Sequence, residues 1–320
     1  MTARDERHHP DRSVAIIVLT WNQRDMTLDC LASLRELHYP SVETIVVDNA
    51  SSDGTADAVR EAYPEVVVIE NPDNLGFVGG NNAGLRYAME TDAEYIMLLN
   101  NDTVLDPDMV TELITVMEAD TSVGITGPKM LYFDQPDTIW CAGNRINWKT
   151  GDSQRLQAEQ PDSTLDLDPI EVDFITGCAI CLRREVIDRI GMLDTRFFIY
   201  YEETDWCIQA HRHGWKILYV PRARLWHKVS AAMGATSPAT DYYMTRNALL
   251  FLAKNRRGVS KFWSLTGWSV RTAKILAAYT VKGRSRERLR SRNARMFGIR
   301  DAILGRWGKM GPDVERFCRS

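Results

Sequence analysis

The chain has 320 residues, 44% hydrophobic and 26% charged, a globular composition that can bury roughly three quarters of its unfolded surface. Disordered, collagenous and disulfide-stapled small folds are excluded. The formal net charge of −4 hides a split, because residues 241–320 hold 19 Lys and Arg against 5 Asp and Glu while residues 1–240 are net acidic by 18; an acidic body precedes a basic tail suited to an anionic surface.

Residues 1–12 are polar and charged and are expected to be disordered. The first apolar run, Val14–Leu19, is too short for a signal-peptide core, and no stretch reaches the roughly 18 apolar residues of a spanning helix. Cys30, Cys141, Cys178, Cys181, Cys207 and Cys318 lack the paired spacings of a secreted framework, which points to a reducing compartment and so to the cytoplasm.

Apolar runs then alternate with helical patterns, the signature of βαβ units and a mostly parallel, Rossmann-like sheet. Val14–Leu19 reads as the first strand, and Met26–Leu37 as a helix with Met26, Cys30, Leu34 and Leu37 on one face. Thr44–Val47 is a second strand, after which Ser51, Ser52 and Asp53 offer N-cap oxygens to a helix running to Tyr63. Val66–Ile69 is a strand, Gly80–Met89 a helix, Tyr95–Leu99 a strand, Asp108–Met117 a helix and Val123–Thr126 a strand. The strand exits are polar, and ligands of open α/β sheets bind beyond the carboxyl ends of the strands.

The second half is less regular. Short strands over Thr138–Trp148, a polar loop over Asp152–Pro169 and an apolar strand over Val172–Leu182 read as a small antiparallel annex. A helix over Glu202–His213 and strands at Ile217–Val220 and Arg224–His227 follow, then an Ala/Ser/Gly/Thr-rich loop, Ser230–Thr240, that reads as a mobile lid. Asp241–Lys254 is helical. In Phe262–Val281, Ser264, Gly267, Arg271, Lys274 and Lys282 share one helical face and Phe262, Leu265, Trp268, Ile275 and Tyr279 the other, a pattern that fits either a bilayer interface or packing on the body.

Several clusters can carry chemistry. Asp48, with Asn49, Ser51 and Asp53, can accept hydrogen bonds from a ribose or a pyrimidine ring, or can simply be a turn and helix cap. The stretch Asn74-Leu-Gly-Phe-Val-Gly79-Gly80-Asn-Asn82 gives close backbone approach and neutral donors for phosphate or sugar oxygens; it is neither a P-loop nor a dinucleotide fingerprint. Asn100-Asn101-Asp102 stands where a carboxylate reaches a divalent cation, Mg or Mn, held by a diphosphate. Glu202, Glu203 and Asp205 fill the first turn of a helix, where acidic residues also complement the dipole. Successive helical residues diverge by about 100°, so Glu202 and Glu203 are not expected to share one task. His227 ends a strand beside Trp226, and Cys178-Ala-Ile-Cys181 reads as buried thiols, not a metal or redox pair.

Taken together, Ile17-Val-Leu-Thr20-Trp-Asn22, Val46-Val-Asp48-Asn-Ala-Ser-Ser-Asp-Gly-Thr55, Asn74–Asn82, Leu99-Asn-Asn-Asp102, Tyr200-Tyr-Glu-Glu203-Thr-Asp-Trp-Cys207 and Leu225-Trp-His227 resemble the inverting, GT-A-fold family 2 glycosyltransferases, in particular their rhamnosyltransferase-like branch. The resemblance spans Val14–Asn255 and implies a glycosyltransferase domain over 13–255 and a place in polysaccharide biosynthesis; the charge of the basic helical tail over 256–320 separately suits it to docking on an anionic membrane surface. It also implies that Thr20, Asn22, Asp48 and Asn74 line the nucleotide pocket, with Gly79, Asn82, Asn100 and Asn101 about the donor. Asp102 and His227 would hold the metal, and Glu203 would be the catalytic base. The implied partners are a nucleotide-sugar donor, dTDP-rhamnose or a UDP-hexose, and a glycan or lipid-linked acceptor. Asn100 and Glu203 depart from the Asp found at both places in many relatives. A silent nucleotide-sugar-binding scaffold and a sugar-phosphate nucleotidyltransferase are the rival readings; no aromatic-interleaved strand platform supports a nucleic-acid partner.

Overall fold

In the computed structural model, which describes residues 12–162, 167–228, 237–281 and 285–319, the first apolar run forms β1 (Val14–Thr20). Parallel pairing with β2 (Val42–Asp48) on one side and β4 (Tyr95–Asn100) on the other places β1 inside the sheet. Ala15 and Ile17 enter one core while Val14, Ile16 and Val18 enter the other, which is why the strand is continuously apolar. Helices α1 (Arg24–Arg35), α2 (Thr55–Ala62) and α4 (Met109–Ala119) cover the second face through Leu31, Val59 and Leu113. Helices α3 (Gly76–Ala88), α5 (Arg184–Ile190) and α6 (Glu202–Arg212) cover the first through Leu85, Val186 and Trp206. The three-layer α/β class follows as expected.

Beyond β3 (Val67–Glu70), the remaining strands are β5 (Thr103–Leu105), β6 (Val123–Tyr132), β7 (Ile139–Cys141), β8 (Asn144–Asn147), β9 (Asp152–Arg155), β10 (Ile170–Glu171), β11 (Ala179–Arg183) and β12 (Lys216–His227). The sheet order is β10-β12-β6-β11-β4-β1-β2-β3, with β5 on β12, β7 on β6 and a separate β8–β9 hairpin. Several boundaries differ from the sequence reading; β6, expected over Val123–Thr126, runs on to Tyr132. Of the apolar run over Val172–Leu182 only Ala179–Leu182 is strand, within β11, which is inserted antiparallel between β4 and β6. The two strands expected over Ile217–His227 are one, with irregular register between Val220 and Arg224, where Pro221 lacks an N–H. The loop expected from Asp152 opens with β9. Finally, α3 begins at Gly76, so much of the Asn74–Asn82 stretch is helix and not loop. Residues 230–236 of the expected lid, Lys282 and residues 1–11 lie outside the described residues; Ser237 caps α7 (Pro238–Asn255), accepting from Thr240 N–H at 3.1 Å.

The basic tail forms α8 (Gly258–Val281), α9 (Arg286–Ile303) and α10 (Pro312–Arg319). The two faces expected for α8 are redistributed. Ser264 donates to Trp148 O, Gly267 abuts the carbonyl of Lys149, Arg271 pairs with Asp152 at 2.8 Å and Trp268 is buried. The small residues permit close backbone approach, so that stripe meets the body; Phe262 and Trp263 stay 63% and 64% exposed.

A buried tie joins α7 to the segment before α6. Asn247 donates its side-chain amide to the carbonyls of Phe197, Ile199 and Tyr200 at 2.9, 2.8 and 2.9 Å. Arg246, fully buried, reaches Phe197 O at 3.1 Å and Gly308 O at 2.7 Å. Asn247→Leu takes the side-chain donor from the Ile199 and Tyr200 carbonyls and leaves Phe197 O to Arg246 alone, and is expected to lower the unfolding free energy by about 2–4 kcal/mol, read as the denaturation midpoint at unchanged slope.

Candidate active site

The strand register brings the polar exits together. Thr20 pairs with Asp48, and Asn100 lies beside Leu19, so β1, β2 and β4 end at one rim. Strand β12 runs parallel to β6 and delivers His227 to that rim, and β5 pairs Thr103 with His227. Asp102, one residue earlier, therefore meets a histidine far away in sequence. A cleft of about 640 Å³ opens over this rim, and Thr20, Asn74, Asn100, Asn101, Asp102, Glu203 and His227 all line it.

Asp102 and His227 form its polar centre. His227 Nε2 lies 3.1 Å from Asp102 Oδ2, with the imidazole 1% exposed. Lys228 N–H donates to the Asp102 carbonyl at 2.7 Å, fixing the two chain segments together. The edge of Trp140 packs on the imidazole, with ring centroids 4.5 Å apart at 74°. Asp102 Oδ1 and His227 Nδ1 are buried without a hydrogen-bond partner, a costly state unless something else engages them. A carboxylate and an imidazole with spare lone pairs fit part of a divalent cation's shell. No set of three or more His, Cys, Asp or Glu that could hold an ion occurs among the described residues, so any further ligands come from outside this set. The described lining contains no Lys or Arg, and residues 229–236 are uncharged in sequence.

Around this centre, neutral groups set the floor. Asn101 Nδ2 donates to Thr20 and Thr27 hydroxyls at 3.2 and 3.0 Å. Asn74 Oδ1 accepts from Gly76 N–H at 2.8 Å. Asn49, buried under the rim, accepts from the Asn71 side-chain amide and from Leu75 N–H, both at 3.1 Å, and donates to Gly76 O at 3.1 Å, which anchors the start of α3. Four expected residues do not line the cleft. Asn22, just after β1, accepts from Ser52 N–H at 2.7 Å, and Asp48 accepts from Ser51 N–H at 3.1 Å, so both are engaged with the turn after β2. Asn82 exchanges bonds with the Leu193 backbone at 2.9 and 3.1 Å. Gly79 faces Leu75, whose Cβ would lie 2.6 Å from an added Cβ. An early helix start explains the last two, since α3 turns them toward neighbouring segments. The cleft also takes an aromatic wall, Trp21, Phe77, Trp140, Phe198, Tyr200 and Tyr243. Trp21, Phe77 and Tyr200 lie inside motifs marked in the sequence, whereas Phe198 and Tyr243 carried no such signal.

The acidic turn lines the same cleft. Phe198, Tyr200 and Tyr201 all have positive φ, at 68°, 70° and 77°, and this left-handed run turns the start of α6 into the cleft. Phe198 O accepts from Val78 N–H at 3.1 Å, and its ring and carbonyl fill the place of a Gly76 side chain, 2.6 to 2.7 Å from an added Cβ. Contrary to the helical-angle expectation, the side chains of Glu202 and Glu203 are in hydrogen-bonding contact. Two methylenes each let carboxyls that diverge at Cβ reconverge. The Oε2 atom of each is buried without a hydrogen-bond partner. Burial raises Glu202 well above the ordinary Glu value, aided by the negative charge of Glu203, and burial raises Glu203 also.

A family model described as glycosyl transferase family 2 matches residues 15–191. The dTDP-rhamnosyl transferase RfbF of Shigella flexneri is 24% identical over 251 residues, 76% of this chain and 81% of that protein. The N-acetylglucosaminyl-diphospho-decaprenol L-rhamnosyltransferase of Mycobacterium tuberculosis is 22% identical over 311 residues, 88% of this chain and 96% of that protein. Among solved structures, a Pyrobaculum calidifontis mannosyltransferase in complex with GDP-Man and Mn²⁺ aligns with a TM-score of 0.55 at 17% identity, covering 92% of this chain and 86% of that one. S. aureus TarS 1-349 in complex with UDP-GlcNAc aligns at 0.58 with 16% identity, covering 95% and 83%.

All six cysteines are free, and five are buried. Cys178 lines the cleft, yet burial holds its thiol well above the ordinary value; burial also pushes Cys30, Cys181 and Cys207 up to about 12 and Cys141 to about 11. Cys318 is also pushed up to about 11 by burial, but it alone is partly exposed, so a thiol-directed reagent at about pH 8 is expected to modify it alone, and slowly, in the native protein, and all six only in denaturant. Rapid native labelling of Cys178 or Cys181 would contradict their reading as inert core thiols.

Proposed function

The chain belongs to glycosyl transferase family 2, and on that premise we propose that it transfers a sugar, with inversion, from a nucleoside diphosphate to a hydroxyl of a glycan or lipid-linked acceptor. The observation that carries this reading is one cleft lined by both the Asp102–His227 pair and Glu203. Thr20, Asn74 and Asn101 would contact the donor, while Asn22 and Asp48 would shape the nucleotide end from the turn behind the rim. The two rhamnosyltransferase relatives favour dTDP-rhamnose over a UDP-hexose.

Asp102 and His227 would hold a divalent metal, Mg or Mn, near the Asn100 side chain, and the bound ion would neutralise charge on the departing diphosphate. Two features support this: their unpartnered buried atoms and a described lining that offers a diphosphate carboxylates but no Lys or Arg. The Mn²⁺ in the mannosyltransferase neighbour agrees with it. Glu203 accepts the acceptor hydroxyl's proton as that oxygen attacks the anomeric carbon from the side opposite the diphosphate. Burial disfavours ionised Glu203, so the active fraction falls as pH drops through a value above the ordinary 4.5.

The exposed side of α8 supports a second part of the reading, attachment to the inner face of the cell membrane from the cytoplasm. Val259, Phe262, Trp263 and Val270 are exposed on a helix within the basic tail. Aromatic insertion and Lys/Arg attraction, about 1 kcal/mol for each basic residue near an anionic surface, act together there. No helix among the described residues is long and apolar enough to cross a membrane.

Glu203→Gln is expected to lower turnover about 10²- to 10⁴-fold with nucleotide affinity retained in calorimetry; near wild-type turnover would remove the base assignment. Replacing Phe262 and Trp263 by Ser should cut sedimentation with phosphatidylserine-containing vesicles about tenfold without changing circular dichroism. Because Trp268, Ala294 and Val314 are buried, this surface change is a cleaner probe than deleting the tail, and unchanged sedimentation would count against membrane docking.

A further inference from the structure

Glu202 is 4% exposed, lines the same cleft as Glu203 and contacts it carboxyl to carboxyl. Neither makes an ion pair with a described cation, and each leaves its Oε2 unsatisfied. Nearby ionisable groups do not compensate them. Tyr201, just before α6, donates its hydroxyl to Gly151 O at 3.0 Å. Asp205 on α6 takes Lys254 of α7 at 2.6 Å and Asn255 Nδ2 at 2.7 Å, and Cys207 is a buried thiol. Gly177, from the segment before β11, packs on the Glu203 stem, with an added Cβ 3.9 Å from Glu203 Cβ. The other ionisable groups lining the cleft are Asp102, His227, Cys178, Tyr200 and Tyr243. Two carboxylates in contact in a buried site cannot both stay ionised without a cation.

We propose that Glu202 and Glu203 hold one proton between them, owned at rest by Glu202, and that Glu202 is the positioning residue that presents Glu203 as an oriented base. The donated hydrogen bond fixes one Glu203 oxygen and favours its ionised form, while the other oxygen faces the acceptor. On transfer, the acceptor O–H proton moves to Glu203 and the acceptor oxygen bonds to the anomeric carbon. The bond to the diphosphate oxygen breaks with its electron pair leaving on the diphosphate. The pair then holds two protons and returns one to solvent.

The activity part of this inference rests on the transfer reaction proposed above, but the proton itself is readable without substrate. Infrared spectra at about pH 7 should show a carboxylic-acid C=O stretch that Glu202→Gln removes. Thermal stability gives a second readout. A carboxyl raised by burial contributes stability that is present below the ordinary Glu value of 4.5 and lost as pH rises through its folded value, so the melting temperature of Glu202→Gln relative to wild type should climb from about pH 5 to pH 8. In turnover, Glu202→Gln keeps an N–H donor and should stay within about threefold of wild type, whereas Glu202→Leu should move the acid limb of kcat upward by about one pH unit. An unchanged C=O stretch in Glu202→Gln, or a loss of turnover as deep as that of Glu203→Gln, would overturn the proposal. Absence of any transfer with the stretch still removed would instead sink the transfer reading and leave the shared proton standing.

Discussion

The site depends on a short stretch of backbone held in a conformation that L-residues avoid. Phe198, Tyr200 and Tyr201 are left-handed without a glycine among them, at a cost of about 1–2 kcal/mol apiece. Such a run persists only where its surroundings over-determine it. Here the Asn247 amide and the Arg246 guanidinium take its carbonyls from one side, and Val78 N–H with the bare Cα of Gly76 closes on Phe198 from the other. The strain has a geometric product, because it swings the first turn of α6, with both glutamates, into the space above the sheet rim.

That arrangement explains why the tail helices matter to the chemistry. Helix α7 supplies Asn247 and Arg246, and Arg246 also engages Gly308 beyond α9. Tyr242 and Tyr243 of α7 form a small core with Ala294 and Val314, and Phe198, Ile199 and Tyr200 pack against it. The basic C-terminal region is thus the outer wall of the acidic turn as well as a charged surface. Its polar stripe with Trp268 is spent on the body, which leaves the Phe262–Trp263 edge facing out.

Electrostatically, the cleft is acidic. Its described lining holds Asp102, Glu202 and Glu203 with His227 and no Lys or Arg. An anionic ligand entering such a place needs a cation from outside, and the carboxyls need protons or partners. Both requirements follow from burial, since isolated charges removed from water are expensive.

Much of this was legible in the chain. Continuous apolar runs such as Val14–Leu19 announced strands covered on both faces, the polar residues after them marked the rim, and the ordered motifs carried the family resemblance. Thr20, Asn74, Asn100, Asn101, Asp102, Glu203 and His227 line one cleft, whereas Asn22, Asp48, Gly79 and Asn82 do not. What the chain could not disclose depends on contacts between segments distant in sequence. Register between β5 and β12 joins Asp102 to His227, and an early start to α3 sends Asn82 to the Leu193 backbone. Close packing of Gly267 on Lys149 sets which side of α8 faces out. A left-handed run that no glycine advertises turns the first turn of α6, with both glutamates, into the cleft. Sequence periodicity reports which residues prefer burial and at what spacing; only tertiary packing decides which neighbour each one meets, because that choice is made by the partner's backbone.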